Sequence, residues 1–397
     1  MAGASGNRGW WTPQRQSAVA VTAVMTVIAV GAVVLWASTR NSGQLGADGS
    51  SASTSVPQDA AQPLATGTGA QSPRTQPGAS FSLDWVGDMT FGTLNKLPPA
   101  GPGSLLDAVK GHLRSDLTLG NLETVLGDLP TTKCAAGETK CFEFEAPAST
   151  ASDLKRDGFS AVNVANNHTL DAGIAGKTST NAALRAAGLA WAGRPGQISY
   201  LTRNGITIAL LGFAPWSYDA SALDIPAAKA LVQQAKQRAQ VVIVMEHIGA
   251  EGDSAQHVRP GEEFYLGQDR GDPIAFTHGV IDAGADLVVG SGPHVLRGFQ
   301  WYHGRLIAYS LGNFTGFNTF GLDSITSVSA VLHVTLDAQG RFVSGSVTPV
   351  RLVAPGTPEP DQGHAAIGVI NSLSQSDFSS NGAASISAAG IIEPPSA

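Results

Sequence analysis

From Phe81 onward the chain keeps running a short apolar stretch straight into a polar, glycine-punctuated turn. Phe81–Val86 leads into Gly87-Asp88, Leu117–Leu119 into Gly120-Asn121-Leu122-Glu123, and Ala161–Ala165 into Asn166-Asn167-His168. Val241–Met245 leads into Glu246-His247, Leu287–Val289 into Gly290-Ser291-Gly292-Pro293-His294, and Leu306–Tyr309 into Ser310-Leu311-Gly312-Asn313. Runs this short, apolar at consecutive positions, read as strands buried on both faces, the condition of sheets covered by helices. Helical spacing falls between them over Ser104–Arg114, 148–156, 174–187 and 226–239, and from the capping Asp272 with Pro273 to Gly284. Ser329–Leu336 and Phe342–Val353 alternate like a β-hairpin. The class is therefore α/β. Ligands in open α/β sheets bind outside the carboxyl ends of the strands. Asp88, Glu123, Asn167, His168, His247, Glu251 and His294 all follow strands and are expected to share one crevice.

The two ends read differently. Residues 17–37 carry no charge and are long enough to span a hydrocarbon core of roughly 30 Å. Arg8 and Arg15 precede them, so the positive-inside bias puts residues 1–16 in the cytoplasm and the rest of the chain outside. The expected location is the cell membrane, with one signal-anchor helix and an extracytoplasmic domain. A cleaved signal peptide is the rival, but its apolar region is about 7–15 residues and Leu35-Trp36-Ala37 is a poor cleavage site. Residues 38–79 are Ser, Thr, Gly, Ala, Gln and Pro with few large apolar side chains, which makes them a disordered linker. The folded domain is expected over 80–356, and 357–397 as a flexible tail.

Composition removes several functions. Net charge is −7 with no basic block, whereas a nucleic-acid-binding face would show clustered Lys and Arg. No Walker A or dinucleotide glycine fingerprint is present. Ala308–Gly312 has the outline of a serine-hydrolase elbow, followed by Asp323 and His333, yet no helical pattern opens after Ser310 as that elbow requires. Cys134 and Cys141 are the two cysteines. Outside the cytoplasm a close pair most often forms a disulfide that pins a loop, while a redox or zinc pair needs tighter spacing or more ligands.

What remains points to metal-assisted hydrolysis. After the strand at Ala161–Ala165 come Asn166, Asn167, His168 and Asp171, closed by Gly173. Histidine supplies a neutral nitrogen ligand or a proton donor, and a carboxamide oxygen binds a hard cation. An Asn-rich turn with a capping Asp is the competing reading of the same residues.

Taken together, the motifs resemble those of the bacterial capsule-synthesis CapA family, also described as poly-γ-glutamate biosynthesis proteins. The matching pieces are Gly87-Asp88-Met89, Gly120–Glu123, Ala165–His168 with Asp171 and Gly173, His247–Glu251, Gly284-Ala285-Asp286, Pro293-His294-Val295 and Tyr309–Phe314. They come in the family's order over about Phe81–Val353. The resemblance implies a fold like that of the calcineurin-like metallophosphoesterases: a four-layer α-β-β-α sandwich of two mixed sheets flanked by helices, behind an N-terminal transmembrane helix. Gly292 stands where the family often has His, Ile248 for Trp, Gly252 for Tyr and Arg297 for Gln. Thr90 also follows Asp88 where the dinuclear phosphoesterases carry His. One cation, or a relict site, is easier to build here than two.

For one divalent cation (Mn, Fe, Zn or Mg) the expected ligands are Asp88, Glu123, Asn167 and His247, with His294 as ligand or acid. His168, oriented by Asp171, is expected to protonate a leaving group, and Glu251 to act as ligand or base. Arg297 and Asn313 are the expected substrate contacts. The implied partners are an anionic cell-surface polymer such as poly-γ-glutamate and a membrane synthesis complex. The reaction is hydrolysis or transfer at an amide bond, with phosphoester hydrolysis as the enzymatic alternative. The non-enzymatic alternative is a polymer-binding assembly or export factor.

Overall fold

The computed structural model describes residues 78–93, 96–129, 133–134 and 141–395. The expected anchor at 17–37 and nearly all of the linker lie outside these residues. Among the described residues no helix is long and apolar enough to cross a membrane.

Two large mixed sheets carry the domain. The first runs in the order β18 (Thr357–Pro360), β17 (Phe342–Val353), β16 (Val328–Asp337), β1 (Ser80–Thr90), β2 (Leu117–Leu122), β5 (Ala161–Asn163) and β6 (Ala190–Ala192). There β15 (Asn313–Gly316) lies parallel to the end of β1. The second runs β13 (Phe299–Tyr302), β14 (Arg305–Ala308), β12 (Leu287–Ser291), β9 (Val241–His247), β8 (Ile206–Phe213) and β7 (Ser199–Arg203). Strands β1, β2, β5 and β6 are mutually parallel, as are β8, β9, β12 and β14. Each set therefore ends its strands along a single edge. Two small pairs are added, β3 (Val125–Leu126) with β4 (Glu145–Ala146), and the hairpin β10 (Phe264–Tyr265) with β11 (Gln268–Asp269).

The strands are apolar on both faces because each face meets a different partner. Leu83, Trp85 and Leu119 of the first sheet pack with Leu210, Ile243 and Val289 of the second in one core. The alternate residues Ala209, Leu211, Val242 and Val244 point the other way, onto α3 (Ile225–Lys236) and α4 (Pro273–Asp282). On the first sheet Val86 and Val162 meet α1 (Thr150–Arg156) and α2 (Gly173–Ala186) through Leu154 and Leu184. The buried Trp85 ties the sheets together by donating Nε1–H to the Gly290 carbonyl at 3.1 Å. Both α3 and α4 start where an Asp caps and a Pro follows: Asp224 accepts from Ala227 N at 3.0 Å and Asp272 from Ala275 N at 2.9 Å.

Two expectations are corrected. Ser104–Arg114 is not an α-helix but two short 3₁₀ turns, Pro102–Leu106 and Lys110–His112. Gly103 and Gly111 weaken helix there, while Leu105, Leu106 and Val109 are buried all the same. The stretch 357–397, expected as a flexible tail, is built into the fold as far as residue 395. It supplies β18 and α5 (Ala365–Phe378), whose Ile370, Leu373 and Phe378 are buried. The chain then returns through bridges from Ala383 to Gln300 and Ile391 to Ser346. Its many Ser, Gly and Ala residues resemble a linker, but Ala366, Ile370 and Leu373 recur at helical spacing and are buried, the first two in the core between the sheets.

Candidate functional site

The parallel strands of both sheets deliver polar residues to one place. At the end of β1, a Cβ on Gly87 would collide with the Gly312 carbonyl, so only glycine lets the strand pass. Asp88 N then donates to that same carbonyl at 2.9 Å, and a bulge between Val86 and Asp88 re-aims the carboxylate. Asn121, at the end of β2, donates Nδ2–H to Asp88 Oδ1 at 2.8 Å and lies 3.1 Å from His247 Nδ1. Its own Oδ1 accepts from Asn163 at 3.0 Å and Asn166 at 3.3 Å. Gly292 N–H adds a bond to Asp88 Oδ2 at 3.2 Å.

Glu123 is the centre of this arrangement. Its Oε1 lies 3.7 Å from His168 Nε2, 3.7 Å from His247 Nε2 and 3.6 Å from His294 Nε2. Among the described residues, neither of its buried oxygens has a hydrogen-bond partner, nor does His247 Nε2. One ligand atom each from Asp88, Glu123 and His294 lie within 4.8 Å of one another. A buried carboxylate without a partner is costly, and a divalent cation among these atoms would satisfy it. The residues fit such an ion.

Proton affinities follow from burial and neighbours. Burial would raise Asp88, but its bonds to His247 and His294 hold it well below the usual carboxylate range. Burial pushes Glu123 well up and His247 down. Burial also pushes His168 down to about 4, against the opposing pull of Asp171. For His294 burial opposes the charged form, yet Glu123 and the bond to Asp88 carry it up to about 10. Glu123 and His294, 3.6 Å apart, are thus neighbours that both hold a proton more tightly than usual. His294 also sits at φ 59°, a costly conformation for a non-glycine residue.

The supporting residues explain the ring orientations. His168 Nδ1 bonds Asp171 Oδ2 at 2.6 Å, and Asp171 is held in turn by Phe144 N at 2.6 Å and Lys133 Nζ at 2.5 Å. Lys133 and Phe144 flank the Cys134–Cys141 disulfide, so both sides of the bridge are tied to Asp171, and the Phe144 ring stacks on His168 at 4.2 Å. Phe320 lies 5.1 Å from His294, and Trp216 6.0 Å from His247.

Among the expected site residues, Asp88, Glu123, His168, His247 and His294 come together. Asp171 stands behind His168, and Glu251 sits at the margin, 2.6 Å from Arg270 and 3.9 Å from His294 Nε2. Asn167 is half-buried with an unpartnered Oδ1, and its carbonyl accepts from Lys133 at 3.4 Å. Two residues have other work than substrate contact. Arg297 is 1% exposed and spends its guanidinium on Glu263, at 3.0 and 2.6 Å, and on the Ala255 carbonyl at 2.8 Å. Asn313 is fully buried, its Oδ1 on His294 Nδ1 at 2.9 Å and its Nδ2 on the His294 and Thr326 carbonyls at 3.1 Å each. It positions His294. Sequence reasoning passed over Asn121, although strand alternation puts it two residues from Glu123, and it passed over Lys133 and Arg270, which follow none of the parallel strands of the two large sheets.

A family model described as bacterial capsule synthesis protein PGA_cap matches residues 82–317, a span that contains every residue of the cluster. The chain belongs to the PGA_cap family. The PGA biosynthesis protein CapA of Bacillus subtilis is 30% identical over 300 residues, 70% of this chain and 73% of that one. The capsule biosynthesis protein CapA of Bacillus anthracis is 30% identical over 260 residues, 59% of each. Among solved structures, a 5′-nucleotidase precursor from Thermus thermophilus overlaps 75% of this PGA_cap chain and 59% of its own length. Its TM-score is 0.37 and its identity 14%, too low to carry its reaction over.

Proposed function

We propose that this PGA_cap chain is a membrane-tethered, extracytoplasmic protein of capsule metabolism that binds an anionic polymer of the poly-γ-glutamate kind. Its site is read as that of a metal-dependent hydrolase or transferase acting at an amide bond of that polymer. The carrying observation is the buried, unpartnered Glu123 carboxylate ringed by three imidazole nitrogens at 3.6–3.7 Å. The similarity to capsule and PGA biosynthesis proteins supports the polymer class, and the uncharged run at 17–37 supports the tether.

Asp88, Glu123, His247 and His294 would hold the cation, with Asn167, whose Oδ1 has no partner among the described residues, as a further amide ligand. Bound there, a divalent ion polarises a carbonyl or phosphoryl oxygen and acidifies a bound water. His168 is neutral near pH 7, with Nδ1–H fixed on Asp171, so its Nε2 takes a proton before it can deliver one to a leaving group. The aromatic rings of Phe144, Phe320 and Trp216 limit water around the cluster.

One observation favours the binding-factor alternative. Gly292, where the family often has His, is at φ +109°, and a Cβ there would lie 3.1 Å from Ile248 N and 3.2 Å from His247. An imidazole at that position would be strained in this backbone.

Elemental mass spectrometry on the purified full-length chain and on an Asp88→Ala/His247→Ala variant tests the reading. Near-stoichiometric metal that disappears in the variant, with cleavage of poly-γ-glutamate but not of simple phosphodiesters, is expected. No metal in either protein, even after manganese, iron and zinc are supplied, sinks the metalloenzyme and leaves the binding factor.

A further inference from the structure

Two buried arginines lie near the cluster, and they are mounted differently. Arg297 uses Nε, Nη1 and Nη2 on protein acceptors. Among the described residues, Arg270, 4% exposed, forms one ion pair, from Nη1 to Glu251 Oε1 at 2.6 Å, while its buried Nε has no partner. Its guanidinium lies 5.0 Å from the Trp216 ring centroid and 5.3 Å from that of Tyr265. Its backbone is fixed as well, with N–H donating to the Glu263 carbonyl at 2.8 Å and its carbonyl accepting from Gly249 at 2.9 Å. The fork is thus rigid, charged and only part used.

Its place matters as much as its mount. Glu251, its partner, is 3.9 Å from His294, and Trp216 reaches from Arg270 to His247. Asp88, Glu123, Asp171 and Glu251 would together repel an anionic substrate. A planar guanidinium offers paired N–H donors that match a carboxylate, and ring stacking removes the entropy such a side chain otherwise loses on binding.

We propose that Arg270 is the specificity-determining residue of the site, holding a substrate carboxylate beside the candidate cation centre, with Trp216 and Tyr265 fixing its plane. This rests on the polymer-binding reading above, since a γ-linked glutamate chain carries a free carboxylate on every residue.

Glutarate, inorganic phosphate and a γ-linked glutamate oligomer are titrated calorimetrically into the full-length chain and its Arg270→Gln and Arg270→Lys variants, with metal content measured in each. Glutarate is expected to bind the wild type and to lose at least about tenfold in affinity in Arg270→Gln at unchanged metal content, the worth of a charge-assisted bond. Arg270→Lys, which keeps the charge and loses the fork, is expected to lose less; if Arg270→Gln does not fold, a drop in Arg270→Lys decides for the proposal and wild-type affinity against it. Glutarate bound equally by wild type and Arg270→Gln, or not bound at all, overturns the assignment. So does a loss that tracks loss of metal, which would make Arg270 a support of the cation site. Phosphate bound tenfold more tightly than glutarate overturns the carboxylate in favour of a phosphoryl group. An oligomer that fails to bind while glutarate is held through Arg270 sinks the polymer reading and leaves the arginine's role intact.

Discussion

Replacing Arg297 by Met removes a buried cation of similar bulk and separates a strut from a substrate contact. The structure gives it a bidentate pair with Glu263 at 3.0 and 2.6 Å and a bond to the Ala255 carbonyl at 2.8 Å. Breaking a buried pair from one side costs about 3–5 kcal/mol, mostly because the remaining charge is left desolvated. Glu263 is 14% exposed and keeps a 2.7 Å bond from Ala250 N. The lower end, about 3 kcal/mol, is therefore expected. In Glu263→Gln the amide oxygen still accepts from Ala250, and removing Arg297 from that background leaves no charge stranded. Removing Arg297 in that background should cost less by about 1–2 kcal/mol, the coupling of residues in one network. Urea unfolding at pH 7 of the wild type, both single variants and the double variant measures this. An Arg297→Met protein that unfolds at the wild-type midpoint but binds a γ-linked glutamate oligomer more weakly would refute the reasoning and restore Arg297 as a polymer contact.

Two other outcomes are expected. Gly87→Ala drives a methyl into the Gly312 carbonyl, backbone against backbone, so it should destabilise by more than about 3 kcal/mol and impair metal uptake through Asp88; a variant with wild-type melting temperature contradicts this. Burial raises the Asp219 carboxyl from 3.8 to about 8, with Lys177 opposing. Its raised folded pKa makes it stabilising below pH 4, and that contribution, on the order of 5 kcal/mol, is lost as pH rises toward 8. Asp219→Asn mimics the protonated acid, so its stability relative to wild type should grow between pH 5 and pH 9; parallel stability curves would contradict the shift.

The chain's sequence alone located the strands and the residues at their ends. A run apolar on both faces can only be covered, and a polar residue just past it can only sit at the strand's carboxyl edge. Asp88, Glu123, His168, His247 and His294 were therefore legible as neighbours. Tertiary structure decided their partners and orientations. Asn121 meets His247 across 126 residues and Gly292 meets Asp88 across 204, pairings that no local pattern encodes. It also decided which arginine faces inward to Glu263 and which stacks between Trp216 and Tyr265, since two guanidiniums are alike until packing chooses their acceptors. The carboxyl-terminal stretch makes the same point. Its small residues promise no core of their own, and α5 is ordered because the edge of a core built elsewhere is there to receive Ile367 and Ile370.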